Sequence, residues 1–256
     1  PLKASGHVYG DGVDTQKTSW DHVEVRVDEK CNTRQDLQKA GYHVGDFVAF
    51  DAVPEISSNG FINARHLDDK AGAAVLLAVA KSIAENECEL AVDSHLLFTI
   101  SEEVGSGASS VLYGDVAEMV AIDHAPVADN QNASEFGATI GMMDQSGPFD
   151  YHLSRKLIGI CHSHQIEHSR DVFRYYRTDS ASAIEAGNDT RTALVGYGVH
   201  GSHGWERTHM DSLMAVADLI GLYIQSPPMF MRDKDDLAGL NGFPHQPERD
   251  VIQIKT

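Results

Sequence analysis

The chain has 256 residues, 42% of them hydrophobic and 23% charged, which is the composition of a globular protein with a sizeable core. Asp and Glu number 38 against 20 Lys and Arg, so the formal net charge is −18. This balance argues against a nucleic-acid-binding protein, which needs a basic face, and against binding to anionic membrane surfaces.

The cysteines are widely spaced, at Cys31, Cys88 and Cys161, and form no CxxC pair. A reduced, cytoplasmic compartment is therefore expected. No apolar run approaches the length of a membrane span, and no signal peptide is recognisable. Because the chain begins at Pro1 and not at Met, we expect the start of the protein to lie upstream.

The first 62 residues predict a small, mainly β domain. Val23, Val25 and Val27 alternate with polar residues, which is the period of a half-buried strand, and residues 46–50 (DFVAF) predict a second strand. Between them, Thr33 is the predicted N-cap of a short helix.

Residues 63–256 predict a domain in which strands alternate with helices. The apolar residues 94–100 and 116–123 are typical of strands buried on both faces. Further strands are predicted at 139–144, 171–176 and 192–199, and helices at 71–86, 151–168 and 210–225. This alternation indicates an α/β fold with a mixed, mostly parallel sheet covered by helices on both faces.

Acidic residues lie at the ends of predicted elements in three places: Asp68 and Asp69 before a helix, Glu102 and Glu103 after a strand, and Asp123 at the end of the next strand. Ligand sites in open α/β sheets lie beyond the carboxyl ends of the strands, so these carboxylates are expected to converge. Converging carboxylates repel one another unless a cation neutralises them. The pattern therefore predicts a site for divalent metal ions.

Each acidic group also has a structural interpretation. Asp68 could cap a helix, Glu102 and Glu103 could interact with a helix dipole, and Asp123 could belong to a turn. Taken singly, these interpretations are favoured. Taken together, three acidic groups at neighbouring element ends favour the metal site.

Several histidines accompany the acidic groups. His209, before the last helix, is a candidate ligand because the carboxylates are present. His200 and His203, in the preceding loop, are candidates for the substrate side. Three histidines on a predicted helix lack matching carboxylates and are interpreted as surface residues: His162, His164 and His168.

The ordered motifs DDKAG, SEEVGSGAS, AID, TDS and THMDS resemble those of the glutamyl aminopeptidase family, also called tetrahedral or deblocking aminopeptidases (metallopeptidase family M forty-two). The resemblance covers residues 1–226. It implies a three-layer α/β sandwich of the zinc-peptidase type. The mainly β unit is similar to that family's β-barrel insertion domain, and a homo-oligomer assembled through this domain is expected.

The resemblance also implies roles for individual residues. Asp68 would be shared by both metal ions, Glu103 and His209 would complete one site, and Asp123 would bind the other ion. Glu102 would be the general base that takes a proton from the attacking water. Asp179, in the TDS motif, would support the site.

One motif of the family is not found in this sequence. Family members carry an additional histidine ligand in an HxD motif, on a strand that would lie upstream of Pro1. His7 does not fit this motif, because the residue two positions later is Tyr9. The metal ion at Asp123 is therefore expected to lack this histidine.

The resemblance implies two divalent metal ions, zinc first, with cobalt or manganese as alternatives. The expected function is a metal-dependent aminopeptidase that acts on peptides with a free N-terminus. An amide hydrolase of a small acylated or amidated metabolite would use the same chemistry, so the motifs do not separate the two. A non-catalytic assembly subunit is the third alternative, although it would require neither Glu102 nor Glu103.

Overall fold

The computed structural model describes residues 1–112 and 114–230. The chain divides into two compact units, Pro1–Phe50 and Asp51–Thr256. The division falls ahead of the predicted domain boundary at residues 62 and 63, which stays a prediction.

Two short helices belong to the first unit, α1 (Gly6–Tyr9) and α2 (Arg34–Lys39). The N-terminus of α2 agrees with the sequence prediction. Thr33 accepts a hydrogen bond from the Asp36 backbone N–H, and the Asp36 side chain accepts one from the Thr33 backbone N–H. This reciprocal capping box satisfies two N–H groups that the helix leaves without partners.

The strands predicted for the first unit are not formed in the structure, and no closed sheet is seen among its residues. Val25 is 64% exposed and Phe47 is fully exposed. Alternating apolar residues form a strand only where a neighbouring strand and a core are available. This unit buries no side chain, so neither condition is met within it.

The second unit alternates strands and helices, as the sequence predicts. Its elements are β1 (Glu55–Ile56), β2 (Phe61–Ala64), α3 (Leu67–Glu85), a 3₁₀ turn (Glu102–Val104), β3 (Glu118–Pro126), β4 (Ala138–Asp144), β5 (Gly147–Pro148), α4 (Tyr151–His164), β6 (His168–Val172), α5 (Asp179–Glu185), β7 (Arg191–Val199), β8 (Glu206–His209) and α6 (Met210–Gln225).

The main sheet of this unit is mixed. Its order is β3-β7-β4-β5, with β6 also paired to β4. The β3–β7 and β4–β6 pairs are parallel, whereas β4 runs antiparallel to β7 and β5. Helices α3, α4 and α6 pack against this sheet in one hydrophobic core, which includes Val195. The adjacent Leu194 belongs to a second hydrophobic cluster, with Phe149 and Phe173. The α/β fold with a mixed sheet and packed helices is therefore confirmed.

A smaller antiparallel sheet contains β1, β2 and β8. Its register places Phe61 opposite His209 and Ala64 opposite Glu206. Because α3 follows β2 after two residues, this pairing brings β8 close to the start of α3.

The strand predicted at residues 94–100 is not formed. On its outer edge, β3 pairs with no strand of the described residues. A cavity of about 1170 Å³ is lined both by this segment, through Leu96 and Phe98, and by β3, through Val120 and Ile122. The apolar residues of the segment therefore face a cavity, and without a hydrogen-bonded neighbour they do not form a strand.

Within the residues that the structure describes, no helix is long and apolar enough to cross a membrane.

Candidate metal centre

Asp68 lies at the centre of the candidate site. Its side chain is 5% exposed, and its Oδ2 atom is 3.0 Å from His124 Nδ1 and 3.1 Å from His203 Nε2. Asp68 has non-helical backbone angles (φ −78°, ψ 108°), and His66 occupies the N-cap position. The Asp68 carboxylate faces two imidazoles.

Asp123 and His124 come from β3 and are both buried. Asp123 Oδ1 accepts a hydrogen bond from the His124 backbone N–H at 2.7 Å and lies 3.1 Å from the His124 ring Nδ1. Burial lowers the pKa of His124, but the hydrogen bonds to Asp123 and Asp68 outweigh it and raise the pKa to about 10. Burial raises the pKa of Asp123. The His124 imidazole thus lies between the carboxylates of Asp68 and Asp123.

Glu102 and Glu103 occupy the 3₁₀ turn that follows residues 94–100. Burial, followed by the negative charges of Asp123 and Asp179, raises the pKa of Glu102 to about 8. Glu103 Oε2 lies 3.6 Å from His203 Nε2. The two adjacent glutamates therefore differ in surroundings, because Glu103 faces an imidazole and Glu102 faces other carboxylates.

Asp69 also belongs to the acidic cluster. Burial and the charge of Asp123 raise its pKa to about 8, against a hydrogen bond from Tyr197 that lowers it. The Tyr197 hydroxyl makes hydrogen bonds of 2.6 Å with Asp69 Oδ1 and with the Leu67 backbone carbonyl. Tyr197 thereby fixes the chain on both sides of Asp68.

His209 lies outside this cluster. Its Nε2 is 2.7 Å from the Asn59 carbonyl, and its Nδ1 accepts a hydrogen bond from the Asp211 backbone N–H. Its ring packs edge-on against Phe61. Both ring nitrogens are thus engaged elsewhere, and the structure does not bring the sequence-predicted ligand His209 into the cluster. The nearby His203, expected on the substrate side, points its ring at Asp68 instead.

Asp179 supports the loop that carries the glutamates. Its Oδ2 accepts a hydrogen bond from Thr99 Oγ1 at 2.6 Å, and its Oδ1 accepts one from the Ala108 backbone N–H at 3.0 Å. These contacts lie before and after Glu102 and Glu103 in the chain.

Within the described residues, two groups of side chains offer donor atoms close enough to hold a metal ion: Asp68, Glu103 and His203, and Asp68, Asp123 and His124. In each group the donor atoms lie within 4.8 Å of one another. Carboxylate oxygen and imidazole nitrogen are the donors of catalytic zinc sites. Asp68 belongs to both groups. The donor set suits divalent cations, since these would also relieve the repulsion among the carboxylates.

A second cavity, of about 860 Å³, opens beside the cluster. Its lining includes Glu102 and His203 of the cluster, together with Gln131, Tyr175 and Arg177. This cavity gives a small molecule or a chain end room to reach the acidic cluster.

The sequence profile of the M42 glutamyl aminopeptidase family matches residues 2–219. The chain is 38% identical over 225 residues to YhfE of Bacillus subtilis (strain 168), which is named for an expected aminopeptidase activity. That match covers 88% of this chain and 65% of YhfE. The chain therefore spans about two thirds of the length of this curated relative.

Solved structures show the same fold. An aminopeptidase from the archaeon Desulfurococcus kamchatkensis is similar with a TM-score of 0.68 and 21% identity, over 83% of this chain and 61% of that one. The TET1 peptidase of Pyrococcus horikoshii is similar with a TM-score of 0.58 and 23% identity, over 67% and 53%. That peptidase can assemble into a tetrahedron or a large octahedral shell.

Proposed function

We propose, because the chain belongs to the M42 glutamyl aminopeptidase family, that the protein is a metal-dependent aminopeptidase whose metal centre is the cluster around Asp68. One observation carries the proposal. His124 and His203 both lie within 3.1 Å of Asp68 Oδ2, although they come from different parts of the chain. Such a convergence of acidic and imidazole donors suits a pair of divalent ions.

The proposed ligands follow the two donor groups. Asp68 is shared by both ions, Glu103 and His203 hold one of them, and Asp123 and His124 hold the other. Zinc suits these donors, and cobalt or manganese could replace it. His203 takes the role that the sequence assigned to His209, and His124 supplies an imidazole next to Asp123.

Bound divalent ions polarise a carbonyl oxygen and lower the pKa of water. The protein groups do the proton transfer. Glu102 takes a proton from the attacking water and passes it to the leaving amine. Its pKa of about 8 in the metal-free molecule falls when cations replace the repulsion of the neighbouring carboxylates, because opposite charges favour the ionised form.

The substrate in this proposal is a peptide with a free N-terminus, bound in the cavity beside the cluster. The acidic surroundings attract the positively charged terminal amine. Tyr175 and Arg177, which also line this cavity, contact the residue that is removed or the one after it.

We further propose that residues 1–62 correspond in position to the insertion domain of the family, although no β-barrel is formed by them in the structure, and that they mediate a homo-oligomer. Many large apolar side chains of residues 1–50 are exposed, among them Trp20 at 91% and Val44 at 94%, and exposed apolar surface beyond single scattered side chains is typical of contact surfaces. The cysteines Cys31, Cys88 and Cys161 are free, which supports a reducing, cytoplasmic location.

Hydrolysis of aminoacyl p-nitroanilides and of short peptides tests the proposal. We expect activity that is lost on chelation, is restored by zinc, cobalt or manganese, and is absent on N-acetylated peptides. Activity on acylated or amidated metabolites alone would instead support the amide-hydrolase alternative. Activity that persists after complete removal of metal would overturn the proposal.

The two adjacent glutamates give a matched pair of variants. Glu102→Gln removes the proton acceptor and leaves the ligands, so we expect turnover to fall by at least about 100-fold with metal content unchanged. Glu103→Gln removes a ligand, so metal content should fall as well. Normal turnover in Glu102→Gln would exclude Glu102 as the base.

A further inference from the structure

Glu206 is a buried carboxylate that contacts the metal cluster through the backbone. It is 1% exposed. Its Oε2 accepts a hydrogen bond from the Asp68 backbone N–H at 3.1 Å, and its Oε1 accepts one from the His203 backbone N–H at 2.8 Å. The Glu206 side chain thus connects the backbones of Asp68 and His203, whose own side chains meet at the centre of the cluster.

The register of the small sheet places Glu206 at this position. Glu206 is the first residue of β8 and lies opposite Ala64 of β2. Since β2 leads into α3, the Glu206 side chain reaches the N-terminus of that helix. The N–H groups of a helix's first turn have no acceptor within the helix, and Glu206 provides one for Asp68.

His203 needs such a restraint. Its φ of 65° lies in the left-handed region, which is uncommon for residues other than glycine, although histidine adopts it more often than most. Backbone conformations of this kind persist where the surroundings fix them. The hydrogen bond to Glu206 holds the His203 backbone N–H, while the His203 ring reaches the side chain of Asp68, whose own backbone N–H is bound by the same Glu206 carboxylate.

We propose that Glu206 is a positioning residue that sets the distance between the Asp68 carboxylate and the His203 imidazole, and through it the metal affinity of the cluster. The inference rests on the metal centre proposed above. Glu206 belongs to neither group of donor atoms found among the described residues, and each of its carboxylate oxygens accepts a backbone hydrogen bond. Side chains that orient ligands in this way typically change metal affinity by about 10- to 100-fold when they are replaced.

Asp171 provides a matched control. It is also buried, and its Oδ2 accepts hydrogen bonds from the backbone N–H groups of Asn132 and Ala133, at 2.6 and 3.0 Å. Its Oδ1 accepts a third from the Val172 backbone N–H at 2.8 Å. Glu206→Gln and Asp171→Asn therefore make the same chemical change to a buried carboxylate that accepts backbone hydrogen bonds. Only the first of these carboxylates contacts the metal cluster.

The test is a zinc titration of the 256-residue chain, with the dissociation constant measured by competition with a fluorescent chelator well below the melting temperature. We expect Glu206→Gln to bind zinc about 10- to 100-fold more weakly and Asp171→Asn to bind it like the wild type while melting at a lower temperature. Unchanged zinc affinity in Glu206→Gln, or an equal loss in both variants, would overturn the positioning role.

A second variant, Glu206→Asp, provides the test if Glu206→Gln does not fold. If circular dichroism shows Glu206→Gln to be unfolded, Glu206→Asp keeps the charge but is one methylene too short to reach both N–H groups, and weaker zinc binding is again expected. Wild-type affinity in Glu206→Asp would overturn the inference. A wild-type chain that binds no zinc would overturn the metal centre itself, which distinguishes failure of the proposed function from failure of Glu206 alone.

Discussion

The Thr99 hydroxyl donates a hydrogen bond of 2.6 Å to Asp179 Oδ2, which ties the segment before Glu102 to the start of α5. The Ala108 backbone N–H donates to the other oxygen of Asp179 at 3.0 Å. The loop that carries both glutamates is therefore fastened at its two ends to a single side chain.

Replacing Asp179 should release this loop. In Asp179→Asn a neutral amide replaces the carboxylate, so the charge-assisted hydrogen bonds with Thr99 and Ala108 are weakened. We expect the free energy of unfolding to fall by about 1–3 kcal/mol and kcat to fall roughly 100-fold, because a small displacement of Glu102 misaligns it. Urea denaturation and steady-state kinetics measure the two effects. Thr99→Val leaves the Ala108 hydrogen bond intact, so it should lower the free energy of unfolding and kcat by smaller amounts. Equal turnover in wild type and Asp179→Asn would contradict the role of Asp179 in holding this loop.

His203 and His209 provide a direct comparison between the structure and the sequence prediction. The His203 ring lies 3.1 Å from Asp68 Oδ2, whereas both nitrogens of His209 are engaged with backbone groups. We expect His203→Gln to weaken zinc binding and His209→Gln to leave it unchanged while lowering thermal stability. The opposite result in a zinc titration would return the ligand role to His209.

Two glycines predict opposite effects of the same substitution. A Cβ atom at Gly198 would lie 2.1 Å from the Ser134 carbonyl oxygen, whereas one at Gly159 in α4 would have no neighbour within 4 Å. Gly198→Ala should destabilise the protein by about 1–3 kcal/mol through overpacking. Gly159→Ala should stabilise it by about 0.5–1 kcal/mol, because alanine restricts the unfolded chain and favours the helix. Urea unfolding of both variants measures these changes, and destabilisation by Gly159→Ala would be inconsistent with the packing of α4.

Cys161 should be the least reactive of the three thiols. It is fully buried, and burial raises its pKa to about 11, so little thiolate is present near neutral pH. Cys31 and Cys88 are half-buried. Labelling with a disulfide reagent at pH 8, followed by peptide mass spectrometry, should modify Cys31 and Cys88 first and Cys161 only in urea. Equal labelling rates in the folded protein would show that the core around α4 opens readily.

The acidic part of the site could be predicted from the sequence, because carboxylates at the ends of neighbouring elements carry a clear signal. His124 could not. Successive side chains of a strand point to opposite faces, so a residue adjacent to Asp123 is not expected beside it, and only the local geometry of β3 brings the two together. Glu206 was missed for a related reason, since its contact with Asp68 depends on the pairing of β2 with β8.

In the fold as well, elements that depend on local composition could be predicted from the sequence, whereas strands that depend on a distant partner could not. The Ala- and Leu-rich residues of α3 predict a helix from their own composition and form one. The apolar residues 94–100 predict a strand equally well, but a strand also requires a hydrogen-bonded neighbour. The described residues supply none at the outer edge of β3, and a periodic pattern alone contains no information about that neighbour.

The central claim is that the cluster around Asp68 binds divalent metal, and elemental analysis of the protein purified without chelator tests it most directly. Intact mass measured on the same sample defines the chain to which the metal belongs. Our account predicts bound zinc, cobalt or manganese, up to two ions per chain as in the two donor groups, and its loss in Asp68→Asn. A folded wild-type chain that contains no divalent metal and takes up none on titration would contradict the account.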